Sequence, residues 1–317
     1  MAEIGTDITT AKLLLDAGEL VAIPTETVYG LACNALDAGA AAKIFAVKNR
    51  PEFDPLIIHV PDLQHARLYV SAVPEKAKLL AENFWPGPLT LVLQKRALIP
   101  DLVSAGLDTV GVRCPDHLLT QKLLRALTYP LAAPSANPFG YVSPTAATHV
   151  NDQLGSKIDY ILDGGASTIG LESTIIGFEG DVPVVYRLGG LALEQIQNVI
   201  GEVTLMPHSS SNPRAPGQLK SHYSPAIPLV TGDIKMLMHQ HHGLRFGILS
   251  FKHDYNSTPQ IILSESGSLH EAARNLFSAL RQFDEMDIEL IIAEYVPDTG
   301  LGLAINDRLR RASTRRS

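Results

Sequence analysis

Cysteine is nearly absent. Cys33 and Cys114 are the two in 317 residues, and they stand too far apart for a CxxC pair. A disulfide framework is therefore excluded and a reducing compartment fits, with both thiols read as small buried side chains rather than ligands. No apolar run reaches the roughly 18 to 20 residues that cross a bilayer. Residues 1–10 carry Glu3 and Asp7 and lack a basic segment followed by a long apolar one, so neither a signal peptide nor a membrane span is expected, and the protein reads as cytoplasmic. Positive charge is also in deficit: 26 Lys and Arg against 33 Asp and Glu give a formal net charge of −7. No global field gathers nucleic acid, and a polyanion has to be met by a local basic cluster. The GxxxxGK[ST] loop, a strand-linked GxGxxG, HExxH and the GxSxG elbow are all missing, which removes the commonest nucleotide, zinc and acyl-transfer signatures.

What is present is globular composition, 45% hydrophobic and 19% charged with 24 Gly and 21 Pro. The length exceeds one small core and predicts a large domain plus a smaller one. A short helix over 11–17 closes at Gly18, and an apolar strand over 20–23 ends at Pro24, which cannot donate the next ladder bond. Asp37 caps a helix to about 47, 56–60 is a buried strand, and Pro74 opens a helix whose Ala77, Leu80, Ala81 and Phe84 recur at helical spacing. Strands follow at 89–93, 109–113, 130–133, 159–162, 174–178 and 183–186, with helices near 116–126, 145–153 and 193–200, the mixture of an α/β domain with a sheet of mixed direction. Residues 206–225 turn to Ser, Pro, Asn and Gly without periodicity, a linker of about 20 residues and unusually long for a passive connection. Beyond it, strands at 227–231, 245–250, 260–263 and 289–296 alternate with helices near 233–241 and 268–284, as in a small parallel α/β unit.

The polar residues at strand ends are the candidates for chemistry, since α/β folds place ligands beyond the ends of their strands. Thr25-Glu26-Thr27 follows an apolar strand, and its hydroxyls and carboxylate suit an amine and a hydroxyl, or simply cap a turn. Lys48 and Arg50 sit at a helix end, where they serve either a phosphate or the exposed helix carbonyls. Arg113 and Arg187 each end an apolar strand, the usual place of a surface charge as well as of a ligand. Ser135, Asn137 and Ser143 read as phosphate donors or as an Asx turn, and Glu172-Ser173-Thr174 precedes another strand. Singly these are weak; Lys48, Arg50, Arg113 and Arg187 together match the charge of a triphosphate if one crevice unites them. His239, His241 and His242 are better read as a solvated helix end than as a chelate. Arg308, Arg310, Arg311, Arg315 and Arg316 read as a frayed, solvated tail.

Five collinear stretches carry a resemblance: PTETVYGL at 24–31, KNRP at 48–51, FWPGPLTLVL at 84–93, PSANPFGYVSPT at 134–145 and ESTIIG at 172–177. They resemble the threonylcarbamoyl-AMP synthase (YrdC-like) family from about residue 7 to 205. PGQLKSHYSP at 216–225 and GLAINDRLRRA at 302–312 are similar to its long, two-domain form. The resemblance implies a YrdC-like twisted mixed sheet with a concave site over 1–205, a linker over 206–225 that contributes to the site, and a smaller Rossmann-like parallel α/β domain over 226–317. The implied activity joins L-threonine, bicarbonate and ATP into threonylcarbamoyl-adenylate with release of pyrophosphate, for a downstream threonylcarbamoyl transferase complex that modifies tRNA. Magnesium is implied with the ATP. Carried over by position, Thr27, His59, Thr109, Arg113 and Ser173 surround threonine, while Lys48, Arg50, Asp54, Ser135, Asn137, Ser143, Arg187 and Tyr223 serve ATP. Lys48, Arg50 and Arg113 are the catalytic set. Asp54 departs from the family, which has Asn in RPxxNPL. The competing readings are a double-stranded RNA-binding module, with RNA contact otherwise weak, and a carbamoyl-transfer enzyme on the same fold.

Overall fold

The computed structural model describes residues 1–206, 215–216, 223–257 and 259–314. The chain runs β1 (Glu3–Gly5), α1 (Ile8–Asp16), β2 (Val21–Ile23), β3 (Gly30–Asn34), α2 (Ala38–Lys48), β4 (Ile57–His59), α3 (Leu63–Ala66), α4 (Glu75–Phe84) and β5 (Leu89–Gln94). It continues through α5 (Asp101–Ser104), β6 (Thr109–Arg113), α6 (Leu118–Ala126), β7 (Leu131–Ala132), α7 (Ala147–Leu154), β8 (Tyr160–Leu162), β9 (Thr174–Glu179), β10 (Val182–Arg187), α8 (Leu193–Ile200) and β11 (Thr204–Leu205). The remainder is β12 (Leu229–Thr231), α9 (Ile234–Gln240), β13 (Phe246–Ser250), β14 (Gln260–Ile262), α10 (Leu269–Phe283), β15 (Leu290–Ala293) and α11 (Gly302–Ala312).

The first eleven strands form one mixed sheet in the order β1-β8-β2-β3-β7-β4-β6-β5-β9-β10-β11, and the last four a parallel sheet in the order β12-β15-β13-β14. An α/β fold with a mixed sheet and a smaller parallel one is thus what forms. Local chemistry explains how α2 aims its end. Asp37 accepts from the Gly39 and Ala40 amides, Ala40, Ala41, Ile44 and Phe45 are buried along it, and Asn49 closes it in the left-handed region at φ 52°. Lys48 is therefore the last helical residue, and Arg50 follows one sharp turn later.

The sheets do not have separate interiors. Val28, Val142 and Leu171 from loops of the large sheet pack in one cluster with Tyr223, Phe277 of α10, and Ile305 and Leu309 of α11. Gly170 makes that approach possible: its φ is +78°, and a Cβ there would lie 2.5 Å from the Arg274 Cα of α10.

One expectation is overturned here. The basic C-terminal stretch is no frayed tail through Ala312. It forms α11, with Arg308 and Arg311 only 0% and 2% exposed; Arg310 stays outside, and Arg315 and Arg316 lie beyond the described residues. β1, β3, β11, α3 and α5 were also not anticipated. Among the described residues, no helix is long and apolar enough to cross a membrane.

Candidate functional site

Register brings the candidate residues to one end of the large sheet. β4 and β6 are parallel, with His59 opposite Arg113, so both side chains leave from neighbouring carboxyl ends. β5 runs against β6 and places Thr90 beside Arg113. β9 runs parallel to β5, so Ser173, just before β9, arrives at the same end, and β10 returns Arg187 opposite Ile175. Thr25, Arg50, His59, Arg113, Ser135, Glu172, Ser173, Arg187, Pro216 and Tyr223 line one cleft, with about 580 Å³ of space outside protein atoms that is continuous with solvent.

The charges in the wall are buried and mostly paired. Arg113 Nη2 donates to Glu26 Oε1 at 2.7 Å, both side chains being 5% exposed, and the second Glu26 oxygen accepts the Asp116 amide at 3.0 Å. Glu26 is thereby committed to orienting Arg113 and is not free for a substrate amine. Arg113 Nε has no hydrogen-bond partner among the described residues. A buried donor left open in a cleft wall asks for an acceptor from a ligand. Arg187 donates Nε and Nη2 to the Ser173 carbonyl and Nη2 to Ser173 Oγ, which also pairs with Thr90 Oγ1 at 2.7 Å. His59 Nδ1 lies 3.2 Å from the Ile57 carbonyl, and burial followed by the Arg113 charge pushes its pKa down to about 3. Its imidazole is neutral at neutral pH, so it contributes polarity without adding charge beside Arg113.

Glu172 ties the cleft to α11. Ser143 Oγ donates to Glu172 Oε1 at 2.6 Å, and Arg308 Nε and Nη2 donate to Oε2 at 3.1 and 2.9 Å. Burial alone raises a carboxylate pKa, yet Arg308, Arg187 and Ser143 together hold Glu172 down at about 2. Arg308 also donates to Asp307 at 2.8 Å, and its guanidinium lies 5.0 Å from the Tyr223 ring centroid. Tyr223 stacks on Phe277 at 5.6 Å and adopts φ 67°, a conformation that side chains other than glycine rarely take.

Two family models match: one described as "Telomere recombination" (Sua5, YciO and YrdC) over residues 13–189, and one described as "Threonylcarbamoyl-AMP synthase, C-terminal domain" over 191–314. The curated threonylcarbamoyl-AMP synthase of Pyrococcus abyssi is 42% identical over 311 residues, covering 93% of this chain and 91% of its own. That of Bacillus subtilis is 42% identical over 320 residues, covering 96% and 92%. The chain belongs to the threonylcarbamoyl-AMP synthase family. The crystal structure of P. abyssi Sua5 complexed with L-threonine superposes with a TM-score of 0.91 at 40% identity, over 98% of this chain and 97% of that one.

Within this family member, Arg50, His59, Arg113, Ser135, Ser173, Arg187 and Tyr223 meet in the cleft wall, so three of the four cations whose convergence the sequence suggested come together there while Lys48 does not line it. Thr27, Lys48, Asp54, Asn137 and Ser143 lie buried close behind it. Thr27 Oγ1 pairs with Thr25 Oγ1 at 2.8 Å, and Lys48 Nζ donates to the Ser135 and Asn137 carbonyls, fixing that loop. Burial and the Arg50 charge push the Lys48 pKa well down. Thr109 is not brought in: it begins β6 opposite Gln94, four residues and so roughly 13 Å along the strand from Arg113. Of the linker motif at 216–225, Pro216 and residues 223–225 are described, while 217–222 fall outside the described residues. Glu172 and Arg308 were missed as a pair. The signal was there: Arg308 lies three residues after Ile305 and four after Ala304, on the stripe of α11 that is buried.

Proposed function

We propose that the cleft makes threonylcarbamoyl-AMP from L-threonine, bicarbonate and ATP with release of pyrophosphate, and that the protein works in the cytoplasm, handing its product to a threonylcarbamoyl transferase complex; any RNA contact is weak. The observation that carries this reading is Arg113, buried, oriented by Glu26, with Nε unpartnered among the described residues and sharing a cleft wall with His59, Ser173, Arg50 and Arg187. A relative crystallised with L-threonine supports the amino-acid half.

The threonine amine adds to the carbon of bicarbonate, and loss of water leaves a carbamate. A carbamate oxygen then attacks the α-phosphorus of ATP in line; the P–O bond to the β-phosphate breaks and pyrophosphate leaves with the electron pair. Neither step needs a protein nucleophile, so positioning and charge carry the catalysis. Thr27, His59, Arg113 and Ser173 form the threonine side. Arg50 and Arg187 face the phosphates, with Lys48 holding the Ser135–Asn137 loop and Ser143 holding Glu172. Tyr223 and Pro216 line the cleft from the linker, where they would help to keep water from the adenylate. Magnesium, held mainly by ATP and water, would neutralise phosphate charge. Asp54, ion-paired with Arg50 at 2.9 Å, would hold that guanidinium in place.

The test is pyrophosphate release from purified protein with ATP, bicarbonate and L-threonine, together with transfer of label from bicarbonate to an adenylate. Pyrophosphate formed at the same rate without threonine refutes the reading.

A further inference from the structure

The 134–145 loop, which presents Ser135 to the cleft, is gripped from outside by the end of α10. Arg281 Nη2 donates to the Val142 carbonyl and, at 3.1 Å, to Gln153 Oε1, and its guanidinium lies 5.2 Å from the Tyr141 ring centroid. Asp284 caps the C-terminal end of α10. It accepts the Tyr141 hydroxyl on Oδ2 and the amides of Ala226 and Ile227 on Oδ1, the latter at 2.9 and 3.1 Å. A carboxylate at the negative end of a helix dipole is disfavoured by the helix itself. Asp284 therefore stands there for its partners, all of which lie outside α10: the loop on one side, and the chain just after the linker on the other.

Between that anchor and the cleft stands Tyr223. It lines the cleft, and its φ of 67° is a conformation that a residue other than glycine keeps only where its surroundings impose it. Phe277 and Arg308 hold the ring. The backbone is held further on, where the Ser224 amide donates to the Gly140 carbonyl at 3.1 Å and Asp284 takes the amides of Ala226 and Ile227. Two amides converging on one oxygen fix the direction of the chain as well as its place. The other oxygen ties that chain to Tyr141, whose carbonyl accepts Asn137 Nδ2 at 2.8 Å. We propose that Asp284 is a positioning residue for the reaction: through Ala226 and Ile227 it seats Tyr223 in the cleft wall, in register with the loop that carries Ser135. The inference rests on the ATP reading above and goes beyond it, because it assigns the seat of Tyr223 to a carboxylate of α10 that lines no part of the cleft.

The experiment measures the KM for ATP and the KM for L-threonine by pyrophosphate release from the full chain. The variants are Asp284→Ala, Asp284→Asn, Tyr141→Phe, Tyr223→Ala, and Asp284→Ala combined with Tyr223→Ala. Asp284→Ala raises the KM for ATP roughly tenfold, the scale of one or two net hydrogen bonds, and leaves that for L-threonine within about twofold. Asp284→Asn recovers most of the loss, since its amide oxygen still accepts Ala226 and Ile227. Tyr141→Phe keeps the ring beside Arg281 and raises the ATP KM by about threefold, which carries the test should Asp284→Ala not fold. In the Tyr223→Ala background Asp284→Ala adds nothing further to the ATP KM, because both act through one side chain. An ATP KM unchanged in Asp284→Ala, or in Tyr141→Phe where Asp284→Ala does not fold, overturns the inference while leaving the ATP reading in place. So does a parallel rise for both substrates, or an effect undiminished in the Tyr223→Ala background. Absence of threonine-dependent pyrophosphate from the wild type overturns the ATP reading, and the inference with it.

Discussion

Replacing Arg308 with Met removes a buried cation that nothing else replaces. The guanidinium is 0% exposed and supplies two donors to Glu172 Oε2, one to Asp307, and a face to the Tyr223 ring. Removal of one member of a buried ion pair costs about 3–5 kcal/mol, because the other charge stays buried. Glu172 keeps Ser143 and the field of Arg187, so the lower end, about 3 kcal/mol, applies. Urea unfolding of Arg308→Met, Glu172→Gln and the double variant measures it. Each single variant is destabilised, and the double variant is more stable than the sum of the two losses by about 2 kcal/mol, the mark of a direct pair. Function moves with it: the unpaired carboxylate draws on Arg187, and the ATP KM rises by roughly tenfold, equivalent to about 1.4 kcal/mol. Strict additivity of the two stability losses, or an Arg308→Met protein within about 0.5 kcal/mol of wild type with an unchanged KM, refutes the pairing as the link between α11 and the cleft.

Lys48→Met removes the donor to the Ser135 and Asn137 carbonyls; a loss of about 2–3 kcal/mol in urea unfolding, together with a raised ATP KM, is expected. Tyr223→Ala should raise the ATP requirement or uncouple ATP hydrolysis from adenylate formation, read as the ratio of pyrophosphate released to carbonate label incorporated, whereas Tyr223→Phe keeps the stack on Phe277 and the coupling. Folded His59 resists protonation down to about pH 3 and the unfolded chain takes the proton near 6.5, so stability falls as pH drops through 6.5. The loss by pH 5 is about 2 kcal/mol, and unfolding of His59→Gln across pH 7 to 5 lacks that part of the slope.

The strand and helix pattern was legible because the elements near the site advertise themselves locally. Asp37 and Asn49 bracket α2, and apolar runs ending in Arg113 and Arg187 give β6 and β10. Convergence of those ends was not. It depends on β6 lying between β5 and β4, the second of which is not its neighbour in sequence order, and on β9 crossing to pair with β5. β3 escaped because its pairing with β2 is antiparallel across a six-residue loop, 24–29, whose Thr25 turn, with Oγ1 bonded to the Val28 carbonyl and amide, reads from sequence as the end of order. Thr109 shows the opposite failure: it shares a strand with Arg113, yet lies at the far end from the cleft.

Arg308 is the deepest case, since the rule that misread it is sound on average. Basic residues near a terminus are usually solvated. The rule fails here because the charge answers another buried charge 136 positions away, at 2.9 Å. Glu172 is needed where it stands to receive Ser143 and to face Arg187, and inside the shared core a lone carboxylate there would be costly. α11 therefore has to bring a cation into an apolar cluster, which requires Arg308 on the same stripe as Ile305 and Leu309. The four-stranded sheet and the cleft are in this way parts of one electrostatic arrangement. A change that loosens α11 from α10 is expected to reach the phosphate side through Glu172 and Arg187 without touching any residue that lines the cleft.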